Sequence, residues 1–266
     1  MSKANGSAPT SSRSLADLGA QGRAVVGFDT ATADTAVCAV RDGEVVHEEL
    51  LGLAADGSPR HSTALLAEVE RAVAACGGWD EVGGLAVGRG PGSFVGIRIG
   101  LATARGLAAS TGVPAAGACT LDALGRGISE WPNRTAAPLL PDEEQRRSGS
   151  LAVLDARRGE VFAALYDDAG EGLWEPLVAA PAELAERLAA LPAPPRAAGS
   201  GAVRFRNELA SRGVEIPEDA DPVHRVAARH LCALAADGPG EPLEPIYLRP
   251  PDAQRWRERH DSQRAR

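Results

Sequence analysis

Arg23-Ala24-Val25-Val26-Gly27-Phe28-Asp29 is a short apolar run ending on a carboxylate, and residues 34–41 (DTAVCAVR) and 44–51 (EVVHEELL) follow it as two more runs. Asp42-Gly43 joins the last two and is a strong signal for a two-residue hairpin. The three runs read as a strand meander. Residues 61–76 then place Leu65, Leu66, Val69, Val73 and Cys76 at helical spacing, and Gly77-Gly78 stops the helix. A buried strand over 84–87, a tight loop over 88–93, a second helix over 94–111 and a short strand over 113–116 complete the unit. After residue 150 the order begins again. Strand 151–155 (LAVLD) also ends on an Asp and is followed by strand 160–166, a third strand around 173–178, a helix over 181–191, a strand near 196–199 and a helix over 222–236. Two copies of one topology imply a duplicated α/β architecture.

These signals divide the chain into a disordered tail (1–22), a first unit (23–117), a second unit (118–249) and a polar C-terminal tail (250–266). The Pro-rich, aperiodic stretch 132–149 is a loop within the second unit. The N-terminal tail lacks the continuous apolar core of a signal peptide, and no apolar run reaches membrane-spanning length. The four cysteines (38, 76, 119, 232) contain no Cys-x-x-Cys pair, which points to a reducing cytoplasm rather than a zinc knuckle or redox motif.

Composition removes several function classes. Lys+Arg 28 against Asp+Glu 36 gives a net charge of -8, no footprint for gripping a phosphate backbone unaided. Aromatics are 4%, too sparse for a base-stacking platform. The only lysine is Lys3, so no P-loop, Schiff-base or kinase-type lysine lies in the body of the chain. The five histidines (47, 61, 224, 230, 260) contain no i, i+4 metal pair, and no Gly-x-Ser-x-Gly elbow occurs.

Gly88-Arg89-Gly90-Pro91-Gly92-Ser93-Phe94-Val95-Gly96-Ile97-Arg98 is the most informative stretch. Its glycines allow positive φ or close backbone approach, and Ser93 is placed to cap the next helix. Exposed amides beside Arg89 and Arg98 would make an anion cradle; a tight packing turn fits the spacing equally well. Asp29, Thr30, Arg89, Gly90, Gly92, Ser93 and Asp155 form the candidate for a vestigial nucleotide or anion site. Further along, Gly96, Gly100, Ala104 and Ala108 make a ridge of small side chains that permits close helix approach. The ridge, with His61, Leu65 and Arg98, is the candidate partner interface, its occupant being either another helix of this fold or another subunit. On this reading a large residue at Gly100 or Ala104 breaks partner binding and spares the fold.

Phe28-Asp29-Thr30-Ala31-Thr32, the glycine loop with Gly96-Ile97-Arg98-Ile99-Gly100, Asp155-Ala156-Arg157-Arg158-Gly159-Glu160-Val161-Phe162 and Pro245-Ile246-Tyr247-Leu248-Arg249 together resemble, in order and spacing, the bacterial TsaB (YeaZ) family. The resemblance covers about residues 23 to 250. It implies an actin-like, sugar-kinase-like ATPase fold of two ribonuclease-H-like halves. It also implies a non-catalytic scaffold in the complex that places threonylcarbamoyl on the adenosine beside the anticodon of tRNAs reading A-starting codons. The implied partners are the catalytic TsaD, bound through helices 61–76 and 94–111, and the ATPase TsaE, with a homodimer available through the same face and tRNA met only indirectly. ATP and magnesium would serve the partners, and this chain would need no cofactor. Val95 stands where the family usually has Thr. The turns after Asp29 and Asp155 carry Thr30-Ala31-Thr32 and Arg157-Arg158 where kinases of this fold have glycines, which would crowd a nucleotide. The competing expectations are an independent ATPase or small-molecule kinase using Asp29, Asp155 and the glycine loop, and a metallopeptidase, for which metal ligands are lacking.

Overall fold

The computed structural model describes residues 22–131, 149–237 and 240–249. The two tails and the 132–149 loop named above fall, apart from residues 22 and 149, outside the described residues.

The first sheet has five strands in the order β3-β2-β1-β4-β5: β1 (Ala24–Asp29), β2 (Thr35–Arg41), β3 (Glu44–Leu51), β4 (Val82–Gly88) and β5 (Ala115–Ala118). β1 to β3 pair antiparallel, and β1, β4 and β5 run parallel. Asp42 and Gly43 take φ of 52° and 81°, the two left-handed residues that a hairpin turn matched to strand twist requires. α1 (His61–Ala75) leads into β4, and α2 (Phe94–Thr111) joins β4 to β5. The second sheet repeats the plan in the order β8-β7-β6-β9: β6 (Ser150–Asp155), β7 (Val161–Tyr166), β8 (Gly172–Ala179) and β9 (Arg196–Ala198). Where the first sheet has its fifth strand, the second keeps one parallel bridge, Arg196 to Glu215. The shared strand order is the ribonuclease-H-like plan of actin-like, sugar-kinase-like folds.

Three apolar layers hold these sheets. α1 and α2 cover one face of the first sheet, burying Leu65, Val69, Val73, Ile97 and Leu101 against Val26, Phe28, Val37, Leu85 and Val87. On the far side, α4 (Pro181–Ala189), α5 (Ser200–Arg204) and α6 (Arg206–Ala210) cover the second sheet with Leu184, Leu188, Ala202 and Leu209. The middle layer holds α3 (Thr120–Glu130) and α7 (Ala228–Asp237), packed between the two sheets through Leu121, Leu124, Ile128, Leu231 and Ala235. Because helices cover both faces, β1 reads as one continuous apolar run, AVVGFD, and every residue of it is buried.

α7 lies far along the chain yet packs on β1 and β2, while α3, which follows β5 directly, packs on β6. A sequence divide at 117/118 therefore places α3 with the sheet it covers but assigns α7 to the second unit, although the sheet it covers is the first. The helix expected over 222–236 is broken. Pro222–His224 is a single 3-10 turn capped by Asp221, and the α-helix starts at Ala228. Between them Arg225 makes a two-pronged bond to Asp34, with both contacts at 2.8 Å, which ties this segment to the first meander.

Candidate functional site

β1 and β4 are parallel neighbours, so the turn after Asp29 and the glycine loop after Gly88 emerge side by side at one end of the sheet. Asp29 is 1% exposed. Its Oδ1 accepts from the Ala31 amide at 2.7 Å, and its Oδ2 accepts from the Thr120 hydroxyl at 2.7 Å. Thr120 Oγ1 in turn accepts from the Gly90 amide at 3.1 Å, and the Thr120 amide donates to the Gly90 carbonyl at 2.8 Å. Burial pushes the Asp29 carboxyl above its ordinary pKa, and the bonds from Thr120 and Ala31 pull the other way. Thr120 thus links the strand-end carboxylate to the loop. Nothing in its local sequence signals this, because the contact spans 91 residues.

The loop lies directly on the Thr30-Ala31 turn. A Cβ on Gly92 would sit 2.2 Å from the Ala31 carbonyl oxygen, and one on Gly96 1.9 Å from that of Thr30. These glycines serve close backbone approach. The Ser93 amide donates to the Ala31 carbonyl at 2.7 Å, and the Gly96 amide donates to the capping Ser93 hydroxyl at 3.2 Å. Thr30 contributes its hydroxyl to the Gly96 carbonyl at 2.8 Å. Of the two arginines expected to make an anion cradle, Arg89 pairs with the Glu241 carboxylate and Arg98 stacks over Phe94. The amides of Gly90, Ser93 and Gly96 and the charge of Arg89 are thus engaged within the chain. The packing turn, one of the two readings of the spacing, accounts for Gly92 and Gly96.

Asp155 ends β6 as Asp29 ends β1, but in different surroundings. Its carboxylate accepts from the Arg157 amide and from Arg204 Nη1, both at 2.8 Å, and shares no hydrogen-bond partner with Asp29 among the described residues. Arg157 and Arg158, at φ of 62° and 56°, carry bulky side chains through a left-handed turn. Among the described residues no group of three His, Cys, Asp or Glu could hold a metal ion.

The expected partner interface needs correction. The ridge of Gly96, Gly100 and Ala104 faces this chain's own first sheet: Ala104 is fully buried, and a Cβ on Gly100 would be 2.6 Å from Thr30 Oγ1. A large residue at either position would damage the fold, contrary to the sequence expectation. Leu65 is a core residue at 2% exposure, and His61 is also inside. The His61 ring bonds Thr35 Oγ1 at 2.9 Å through Nδ1 and the Thr32 carbonyl at 3.2 Å through Nε2. A carbonyl only accepts, so Nε2 carries the proton and Nδ1 accepts from Thr35. Burial lowers the ring's pKa, consistent with this neutral form. Of the proposed interface set, Arg98 is exposed and Ala108 half-buried. The large apolar side chains that α1 and α2 do expose are Leu66 (52%), Phe94 (37%) and Val95 (65%).

The segment 241–249, which contributed only a motif to the sequence reading, proves structural. Its Glu241 exchanges backbone bonds with Gly117, the Ile246 amide donates to the Arg89 carbonyl at 2.8 Å, and Arg249 reaches the Ala156 carbonyl at 3.0 Å and the Glu160 carboxylate. Pro245 and Tyr247 in a run outside any helix or strand were the available signal.

Two ribonuclease-H-like sheets, with both strand-end carboxylates bonded within the chain, define a protein of the actin-like, sugar-kinase-like fold. The sequence matches the family described as "TsaD: tRNA N6-adenosine threonylcarbamoyltransferase" over residues 55–210, and the chain belongs to that family. It is 35% identical over 153 residues to the tRNA threonylcarbamoyladenosine biosynthesis protein TsaB of Escherichia coli K12, covering 56% of this chain and 58% of that protein. An uncharacterized Mycobacterium tuberculosis protein is 36% identical over 168 residues, or 63% and 64% of the two chains. The match thus spans less than two thirds of the length of these relatives. YeaZ from Pseudomonas aeruginosa superposes with a TM-score of 0.63 at 24% identity, over 85% of this chain and 100% of that one, which shows the shared fold. No helix among the described residues is long and apolar enough to cross a membrane.

Proposed function

We propose that this chain is a non-catalytic scaffold and activator in the transfer of threonylcarbamoyl to tRNA, working with a TsaD-type catalytic protein and a TsaE-type ATPase in the cytoplasm. The observation that carries the reading is the occupied corner: Asp29 is buried and bonded to Thr120 and Ala31, and the loop amides of Gly90 and Ser93 are engaged within the chain. A magnesium-bound nucleotide needs an accessible carboxylate and free donors. Here the carboxylate is buried and the Gly90 and Ser93 amides are already bonded within the chain, which supports a chain that requires no cofactor of its own. The names of the TsaB relatives supply the pathway.

The docking face for the TsaD-type partner, and for a second copy of this chain in its absence, is the outer side of α1 and α2, where Leu66, Phe94 and Val95 are exposed. Large apolar residues exposed on two helices that touch each other suit a helix-on-helix interface. Reconstituted tRNA modification should require this chain, and calorimetry of the isolated chain with ATP and magnesium should give no heat of binding. Tight nucleotide binding would instead favour the ATPase or kinase reading. Val95→Glu should abolish co-purification with the TsaD-type protein at unchanged thermal stability; retained co-purification would remove this face from the proposal.

A further inference from the structure

Residues 241–249 cross from the first sheet's side of the molecule to the second's. The early part of this strap belongs to the first side. Glu241 bonds Gly117 in both directions and pairs with Arg89; the Leu243 carbonyl accepts from Arg105; the Glu244 carbonyl accepts from Arg89 at 3.3 Å; and the Ile246 amide donates to the Arg89 carbonyl. Tyr247 then lies against the start of α2, its ring centroid 5.1 Å from that of Phe94 and its hydroxyl accepting from Arg98 Nε at 3.1 Å. Arg98 completes the cluster with its guanidinium 3.7 Å from the Phe94 ring centroid. Two residues later the allegiance changes. Arg249, with only 14% of its side chain exposed, bonds the Ala156 carbonyl and the Glu160 carboxylate in the turn between β6 and β7.

We propose that the strap is a latch between the two sheets and that its seating completes the docking face, Tyr247 being the part of that face supplied from outside α2. This inference rests on the docking reading above and adds a condition to it. Arg98 and Tyr247 are of the residue types that dominate binding energy at interfaces, and Phe94 is of a type enriched there. Here two of them come from a helix and the third from a segment whose far end is fixed to the other sheet. Partner affinity then depends on Arg249 and Glu160, which need not touch the partner at all. Rigidity is the physical link. A strap freed at residue 249 loses its hold on Tyr247, and the partner must meet the ordering cost on binding.

Hydrogen exchange reads the latch in the intact chain without any partner. Arg249→Glu should speed exchange of the Ile246 amide by about tenfold and leave the amides of β1 unchanged. Affinity for the TsaD-type partner should fall about tenfold in Arg249→Glu and in Glu160→Arg, and return to within about twofold of the parent in the charge-swapped double variant. The swap guards against simple misfolding of either single variant. Unchanged exchange at Ile246 in Arg249→Glu would overturn the latch whatever the partner does. Faster exchange with unchanged partner affinity would overturn its coupling to docking, and unchanged affinity in Val95→Glu would instead refute the docking face itself.

Discussion

Asp29 and Asp155 end corresponding strands of two sheets built on one plan, and the chain treats them in opposite ways. Asp29 lies in the interior, with a hydroxyl and a backbone amide as its partners. Asp155 stays near the surface and is held by the Arg204 guanidinium and the turn amide of Arg157. Topology thus fixes where a strand-end carboxylate lies, and the next turn decides what it can do. After Asp29 the loop opposite is made of glycines that let two backbones touch. After Asp155 the turn is made of arginines that project outward. Both arrangements occupy the carboxylate, one by neutral donors under low solvent access and one by positive charge.

The largest effect that tests this contrast is on packing. Gly96→Val places a Cβ where the Thr30 carbonyl stands, 1.9 Å away, and should cost about 3 kcal/mol or more in urea denaturation. Gly159→Ala, in the turn after Asp155, meets nothing within 4 Å and has only its left-handed φ of 77° to oppose it, so it should cost about 1 kcal/mol. Equal costs would break the comparison. Next comes the loss of each carboxylate. Asp29→Ala strands the Ala31 amide and the Thr120 hydroxyl in the interior and should cost about 2–3 kcal/mol, whereas Asp155→Ala, at a half-buried site whose Arg204 partner is itself exposed, should cost about 1 kcal/mol.

A pH test sharpens the same point. The native pKa of Asp29 is raised by burial, so the folded state holds its proton more tightly than the unfolded chain does. Its contribution is therefore fully present below the unfolded carboxylate pKa, and is lost as pH rises through the raised native value. Asp29→Asn should flatten that limb of the stability–pH curve, measured against the parent; an unaltered curve would mean that Asp29 is solvated. The smallest effect is expected at Arg157, where a glycine would relieve the φ of 62° and raise stability by about 0.5–1 kcal/mol.

Much of the fold is legible in the sequence because its signals are local. Asp42-Gly43 makes its hairpin, Ser93 caps α2, and both meanders and both strand-end aspartates lie where the patterns put them. The signals that were misread or absent are relational. Small residues at every fourth position of α2 announce a close neighbour without saying which, and the neighbour is Thr30 rather than a partner helix. α3 carries Gly125 and Gly127, poor helix formers that obscure its pattern. They are there because a Cβ on Gly125 would meet the Tyr166 ring at 2.5 Å and one on Gly127 would approach the His230 ring at 3.2 Å. Thr120 was invisible as a site residue for the same reason, since its partners are Asp29 and Gly90.

The position of α7 bears on how the chain folds as it is made. Its residues 228–237 cover a face of the first sheet whose strands lie at 24–118, with Cys232 directly over Gly27 and Ala228 close by. During synthesis the first sheet emerges well before the helix that shields it, leaving Val25, Cys38 and Ala86 without their final cover while some hundred further residues are added. Contacts of such sequence separation slow folding and lengthen the time an apolar sheet face stays exposed. Nascent chains released at residue 227 should therefore be caught by chaperones or aggregate, even though they contain every strand of both sheets.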